Sequence, residues 1–326
     1  MDRQWLVPVG VITAVQMLLW MTASYAGIAH RPMFATYGIL AIAFFAFVIG
    51  IRLGIYLIQM MRCGEEQPLR RLADLAIRER RRIVAALIGL QLVAIGGAAF
   101  GSLKAGLPPF WADLPIRAVE AAILGCQAWE LLHRWLGWAT PLFDRLYGTF
   151  VFTHTIAVFG LLACSPSVRK SQGLISLALA WLFMGVFCAY LLSSAGPIFF
   201  DRVYGGAEFA YLIAVLNRDA PLTVMTADAL WNVHQSGMPM VGNGISAMPS
   251  MHVALTLWLA LLLKNTRFAV IGWLYYALIW AGSVLLGWHW FSDGLVGSIG
   301  MILIWRISPL LFLPTEAEGT VTTSAV

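Results

Sequence analysis

Charge is scarce in this chain. Asp, Glu, Lys and Arg make up 11% of its 326 residues, under half of the roughly 25% usual in soluble domains. An ordinary soluble surface is therefore excluded. Cysteine is scarce too: Cys63, Cys126, Cys164 and Cys188 are the whole complement. They form no Cys-x-x-Cys pair and no ligand-like spacing, which argues against a disulfide framework and a metal site, and each falls within or beside apolar sequence, as an inert core thiol does. Acids are outnumbered by bases, 16 to 21, for a net charge of +5. Seven of the 21 cations crowd into one loop beside apolar runs, where anionic lipid head groups are the fitting partner and nucleic acid is not. No internal repeat or low-complexity segment stands out.

What the chain has instead is apolar length, with 60% hydrophobic residues and a mean hydropathy of +0.80. Its apolar runs are continuous rather than alternating, so helices rather than a barrel are expected to span the membrane. Eight runs reach or approach the ~20 residues a span requires: Trp5 to Ala29, Phe34 to Met61, Ile83 to Leu103, Thr149 to Cys164, Gly173 to Ala195, Ile245 to Leu263, Phe268 to Trp288 and Trp290 to Leu313. The first is too long for a signal h-region and lacks a clean cleavage site, so it is expected to remain as a span, joined to the second through the turn His30 to Met33. The expected fold is an all-α, polytopic bundle of about eight spans. The catalytic helical core is expected in the C-terminal half, over 149–314, behind N-terminal membrane helices over 1–148, and the polar tail 315–326 is expected to be disordered.

Topology follows from charge. Arg62, Arg70, Arg71, Arg78, Arg80, Arg81 and Arg82 put seven cations in one loop, 62–82, which the positive-inside rule assigns to the cytoplasm. Within it Leu69, Leu72, Ala73, Ala76 and Ile77 recur at helical spacing, consistent with an in-plane amphipathic helix or with a solvated charge run. The Lys264 and Arg267 turn is cytoplasmic by the same rule, which places the run ends bearing His252 and His289 together on the extracytoplasmic face. Both assignments hold only if Ala118 to Trp138, apolar but carrying Glu120, Glu130, His133 and Arg134, lies along the outer interface instead of spanning. The chain then has both termini in the cytoplasm, as an integral protein of a bacterial inner membrane. Gly196 to Gly244 is a long polar connection on the outer side, of a length more often used as a lid or binding loop than left idle.

Ser250, His252, His289 and Asp293 stand at the starts of two very apolar runs, where polar groups are costly unless paired or used. His289 and Asp293 are four apart, so on a helix they share a face and the carboxylate tips back toward the imidazole. A histidine oriented in this way offers its other nitrogen as a nucleophile, and phosphorus is a fitting electrophile. Pro249 and Ser250 suit a helix start, whose free N–H groups attract anions, and His252 in the first turn can protonate a leaving alkoxide.

Pro249-Ser250-Met251-His252 resembles the Pro-Ser-Gly-His motif of the type 2 phosphatidic acid phosphatase superfamily, and His289 with Asp293 resembles its His-x-x-x-Asp motif. The runs Ala-Met-Pro-Ser-Met-His and Gly-Trp-His-Trp-Phe-Ser-Asp look most like the branch containing fungal inositol phosphorylceramide synthases and their bacterial relatives. The resemblance covers mainly the last 80 or so residues. It implies His289 as nucleophile, Asp293 as its orienter, His252 as general acid and then base, and no metal or cofactor, while Ser250, read from its own place at the helix start, can donate to a phosphate oxygen.

Two departures stand out. Ser283 occupies the position, six before the nucleophile, where the family usually has an arginine, and there is no Lys-x6-Arg-Pro motif, Arg31-Pro32 being the only Arg-Pro. Arg202, in the loop on the same face, is the candidate replacement for the phosphate contact, with Asp201, Tyr204, His234 and Asn243 as weaker candidates. The implied activity is a lipid phosphatase or phosphotransferase acting on a lipid-linked phosphate among membrane lipids, tilted toward inositolphosphotransferase-like transfer. The alternative is a lipid-binding or transport protein that keeps the fold without the chemistry.

Overall fold

The computed structural model describes residues 2–28, 33–104, 106, 109–237 and 244–312, and these contain helices and connections with no strand. The turn at 29–32, including Arg31-Pro32, the candidate Asn243 and the tail 315–326 lie outside the described residues. Among the described residues, six helical stretches are long and apolar enough to cross a membrane, and two shorter apolar helices, Met251–Leu263 and Ala269–Leu285, accompany them. The polytopic helical bundle expected from the apolar runs is therefore borne out.

Helices α1 (Arg3–Tyr25), α2 (Phe34–Arg62) and α4 (Arg80–Lys104) form the N-terminal group, in which α4 packs on both others. The Arg-rich loop is resolved into α3 (Pro68–Arg78), opened by Pro68 at a first-turn position and with no buried residue. Two of its arginines are matched locally, Arg71 pairing with Glu65 while Arg82 in α4 pairs with Glu79.

Ala118 to Trp138 is not one segment. Helix α5 (Asp113–Leu124) ends at Gly125, whose φ of 72° closes the helix in the left-handed region that suits glycine, and α6 (Ala128–Leu136) begins after the break. Helices α6, α7 (Thr140–Gly148) and α8 (Phe150–Ala163) run on with a short tight turn between the first two, so the apolar stretch starts at Ala128 rather than at Thr149. Helix α9 (Val168–Leu179) widens into π-type turns over Ala180–Cys188 before α10 (Ala189–Leu191).

The polar connection after α10 is also largely helical, with α11 (Pro197–Tyr204), α12 (Ala210–Asp219) and α13 (Pro221–Ser236). Pro197 and Pro221 sit in first turns, where the missing N–H costs nothing. Asp144 accepts from Leu222 N and Thr223 N at 3.0 and 2.8 Å and so closes the start of α13. Helices α14 (Met251–Leu263), α15 (Ala269–Leu285) and α16 (Phe291–Ile307) complete the chain, α14 packing on both.

Two apolar clusters hold these elements together. One joins Trp5 and Leu90 to Leu162, Leu174, Trp258 and Met301 and ties the N-terminal helices to α8, α9, α14 and α16. The other, rich in aromatics, gathers Trp129, Phe143, Phe199, Phe209, Leu285 and Trp290 beneath the turn that carries His289. The four cysteines are unpaired, but Cys63 and Cys164 are exposed at the ends of α2 and α8 rather than in the core, since helix ends lack the neighbours that would cover them.

Candidate active site

Ser250 is the N-cap of α14, its hydroxyl accepting from Val253 N at 3.4 Å. It is fully buried. His252 follows in the first turn, as expected. His289 does not stand on a helix: Trp290 caps α16, and His289 lies in the turn between α15 and α16. The shared helical face inferred from the spacing is therefore replaced by a turn. Asp293 Oδ2 accepts from Trp290 N at 2.8 Å, closing the helix start, and lies 3.5 Å from His289 Nδ1.

The direct partner of that nitrogen is a backbone group. His289 Nδ1 is 2.8 Å from the carbonyl oxygen of Ala247. A carbonyl can only accept, so Nδ1 carries the proton and Nε2 is left with its lone pair. His289 is 5% exposed, and burial pushes its imidazole down to about 3, against the Ala247 bond and with the nearby charge of Lys104. The ring is therefore neutral at physiological pH.

The two helix starts are stitched together around this turn. Ser250 N donates to Asp293 O at 3.0 Å, Ala247 N to Ser194 O at 2.7 Å, and His289 N to Ser283 O at 3.1 Å. Gly297 allows the close approach, since a Cβ there would stand 2.6 Å from Ser250 O. His252 and His289 are brought together with ring centroids 5.9 Å apart. Phe150 lies 4.3 Å and Tyr147 4.9 Å from the His252 ring, and His154 contacts the same Phe150 at 5.6 Å.

Ser283 is committed to the fold. Its hydroxyl donates to Trp280 O at 2.7 Å, its carbonyl holds the backbone of His289, and the residue is fully buried. Arg202 pairs with Asp228 at 2.5 Å and sits 5.9 Å over the Trp231 ring, so it belongs to the contact between α11 and α13. Its charge is already matched there. Asp201 accepts from Phe209 N at 3.0 Å, Tyr204 donates to Phe110 O, and the His234 ring contacts Phe110 and Trp231. None of these three is brought against the histidines by a contact described here.

Asp113 is the residue that sequence reasoning missed. Fully buried, its carboxylate accepts from Ser194 Oγ, Ala195 N, Gly196 N and Trp290 Nε1 at 2.7 to 2.9 Å, with Tyr204 Oη at 3.3 Å. It therefore fixes both the Ser194 backbone, which holds Ala247, and the indole beside His289. Glu120 supports the same helix start by accepting from Ser292 N and Oγ at 2.7 and 2.8 Å. Gly196, at a φ of 90°, lets the chain pass under the turn, because a Cβ there would lie 2.5 Å from Trp288 O. Among the described residues, no group of three or more His, Cys, Asp or Glu side chains is arranged to hold a metal ion.

Fold and site together define an integral membrane protein of apolar helices with a histidine pair seated where two of its last helices begin. A family model described as the PAP2 superfamily matches residues 116–307, more than half of the chain, and the chain belongs to that superfamily, whose members are in general phosphoesterases and phosphotransferases. No curated protein and no solved structure matches it.

Proposed function

We propose that the chain is a membrane-embedded lipid phosphoesterase or phosphotransferase that works through a phosphohistidine. In the first step Nε2 of His289 attacks phosphorus, the N–P bond forms, and the P–O bond to the leaving alcohol breaks. His252 gives that alkoxide its proton. In the second step His252 takes a proton from an acceptor hydroxyl, whose oxygen displaces His289, so that the N–P bond breaks and the phosphoryl unit leaves on the acceptor. Asp293 stabilises the imidazolium that forms on attack. Ser250 holds the helix start, and Arg202, through Asp228, holds the cover made by α11 and α13.

One observation carries this reading. The donor at Nδ1 is fixed by a backbone carbonyl, leaving Nε2 available within one phosphoryl group's reach of a second imidazole. A lipid alcohol acceptor, as in inositolphosphotransferase-like transfer, fits the resemblance of the Ala-Met-Pro-Ser-Met-His and Gly-Trp-His-Trp-Phe-Ser-Asp runs; water as acceptor makes the same site a phosphatase. The site lies on the extracytoplasmic side by the charge distribution.

The test is to incubate reconstituted protein with phosphatidic acid, a polyprenyl diphosphate, or phosphatidylinositol with ceramide, and to identify the products while trapping acid-labile phosphoenzyme. Turnover of one lipid, with label lost in His289→Ala, is expected. Absence of turnover and of label with all three would leave the binding or transport reading in its place.

A further inference from the structure

A phosphoryl group between the two histidines brings negative charge into an apolar site, and the two residues first expected to meet it are otherwise engaged, Ser283 in α15 and Arg202 with Asp228. Two other groups stand near the histidines without such commitments. The Tyr147 ring lies 4.9 Å from that of His252 and 6.3 Å from that of Trp288, nearly parallel to the latter at 9°. Tyr147 is 9% exposed, and its hydroxyl is buried without a hydrogen-bond partner among the described residues. The indole N–H of Trp288, the residue before His289, is buried and unpartnered in the same way. Orphaned donors of this kind are costly in an apolar interior, and two of them against one histidine pair mark a place where an acceptor is missing.

Resting on the phosphohistidine reading, we propose that Tyr147 Oη and Trp288 Nε1 donate to the non-bridging phosphoryl oxygens. The phosphate grip is then built from α7 and the α15–α16 turn, rather than from an arginine six residues before His289. Tyr147 and Trp288 are aimed by their rings: each stacks on a neighbour, so the donors are held before substrate arrives and strengthen the bond to a charged oxygen.

The test measures binding of inorganic phosphate to full-length protein in nanodiscs, in the His289→Ala background, so that the reading does not depend on phosphoenzyme formation. Adding Tyr147→Phe, which keeps the ring and removes only the oxygen, is expected to weaken binding by about tenfold or more, as loss of a hydrogen bond to a charged group does. Trp288→Phe should act similarly. With His289 intact, the same variants should slow phosphoenzyme labelling in the same order. If label forms normally but phosphate affinity and labelling rate stay within about twofold of the parent in Tyr147→Phe and Trp288→Phe, the grip is overturned and the phosphohistidine stands. If phosphate binds and responds to these substitutions while no label ever forms, the grip stands and the covalent mechanism fails. Phosphate binding to none of the proteins also overturns the grip.

Discussion

His289 is oriented by Ala247: its Nδ1 lies 2.8 Å from the Ala247 carbonyl oxygen, closer than the 3.5 Å to Asp293 Oδ2. A backbone carbonyl cannot be removed by substitution at its own position, so the tautomer of His289 is set by where the 244–250 segment lies. Asp293 is left to close the start of α16 and, in the proposed mechanism, to face the positive charge that appears on attack. Asp293→Asn is therefore expected to leave some phosphoenzyme formation, with kcat reduced more than KM is raised. Loss of label as complete as in His289→Ala would assign the tautomer to Asp293 instead.

His252→Gln should lower kcat by about 10²- to 10⁴-fold, the usual range for a positioned general acid or base. The loss should shrink for an ester with a good leaving group, such as p-nitrophenol, whose oxygen needs no proton to depart. An equal loss with both kinds of ester would show that His252 acts in packing rather than in proton transfer.

Asp113→Asn keeps one acceptor oxygen but places an amide where two backbone N–H groups and an indole now point. Each buried donor left unpaired costs about 1 to 3 kcal/mol, so the thermal midpoint should fall clearly. The labelling rate at His289 should fall with it, because the Ser194 backbone that holds Ala247 is released. Unchanged labelling in a folded variant would sever the link between Asp113 and the nucleophile.

Gly196→Ala adds a Cβ 2.5 Å from Trp288 O at a φ of 90°. Left-handed strain in a non-glycine residue costs on the order of 1 kcal/mol or more, and the clash adds to it. The backbone before His289 has to shift, so turnover is expected to drop further than stability does. A variant with parental activity would mean that the turn has slack which the close approach denies.

His289 in the folded protein binds its proton less readily than an exposed histidine of pKa ~6.5, because burial holds it down to about 3. The unfolded chain therefore binds the proton first. Stability linked to this group is present in full above pH 6.5 and is lost as pH falls below that value. Histidine-selective NMR should show His289 still neutral at pH 5.5, and a midpoint near 6.5 would contradict the burial assigned to it.

Much of this was legible in the chain because apolar length and helix-start chemistry are local properties. Ser250 as a cap with His252 in the first turn follows from Pro-Ser before an apolar run, and the structure keeps that placement. The His289 and Asp293 spacing was read through helical geometry, but Trp290 starts the helix one residue later, and only the contact survives. Gly196 to Gly244 reads as a loop from the sequence because a proline ends one helix and opens another with equal ease, yet Pro197 and Pro221 open α11 and α13. Asp113 was illegible for a different reason. Its partners are backbone groups more than 80 residues away and an indole 177 residues away, and no period or motif records such a meeting.

The carboxylate of Asp113 reaches across most of the chain to Trp290, and this sets an order of events during synthesis. Residues that grip the site emerge from the ribosome early, while the turn bearing His289 emerges near the end. Until α16 has been inserted and its first turn has met Ser250 and Asp113, His289 has neither its tautomer nor its neighbours. On the phosphohistidine proposal, a nascent or C-terminally truncated chain is chemically silent among the lipids into which it is being threaded.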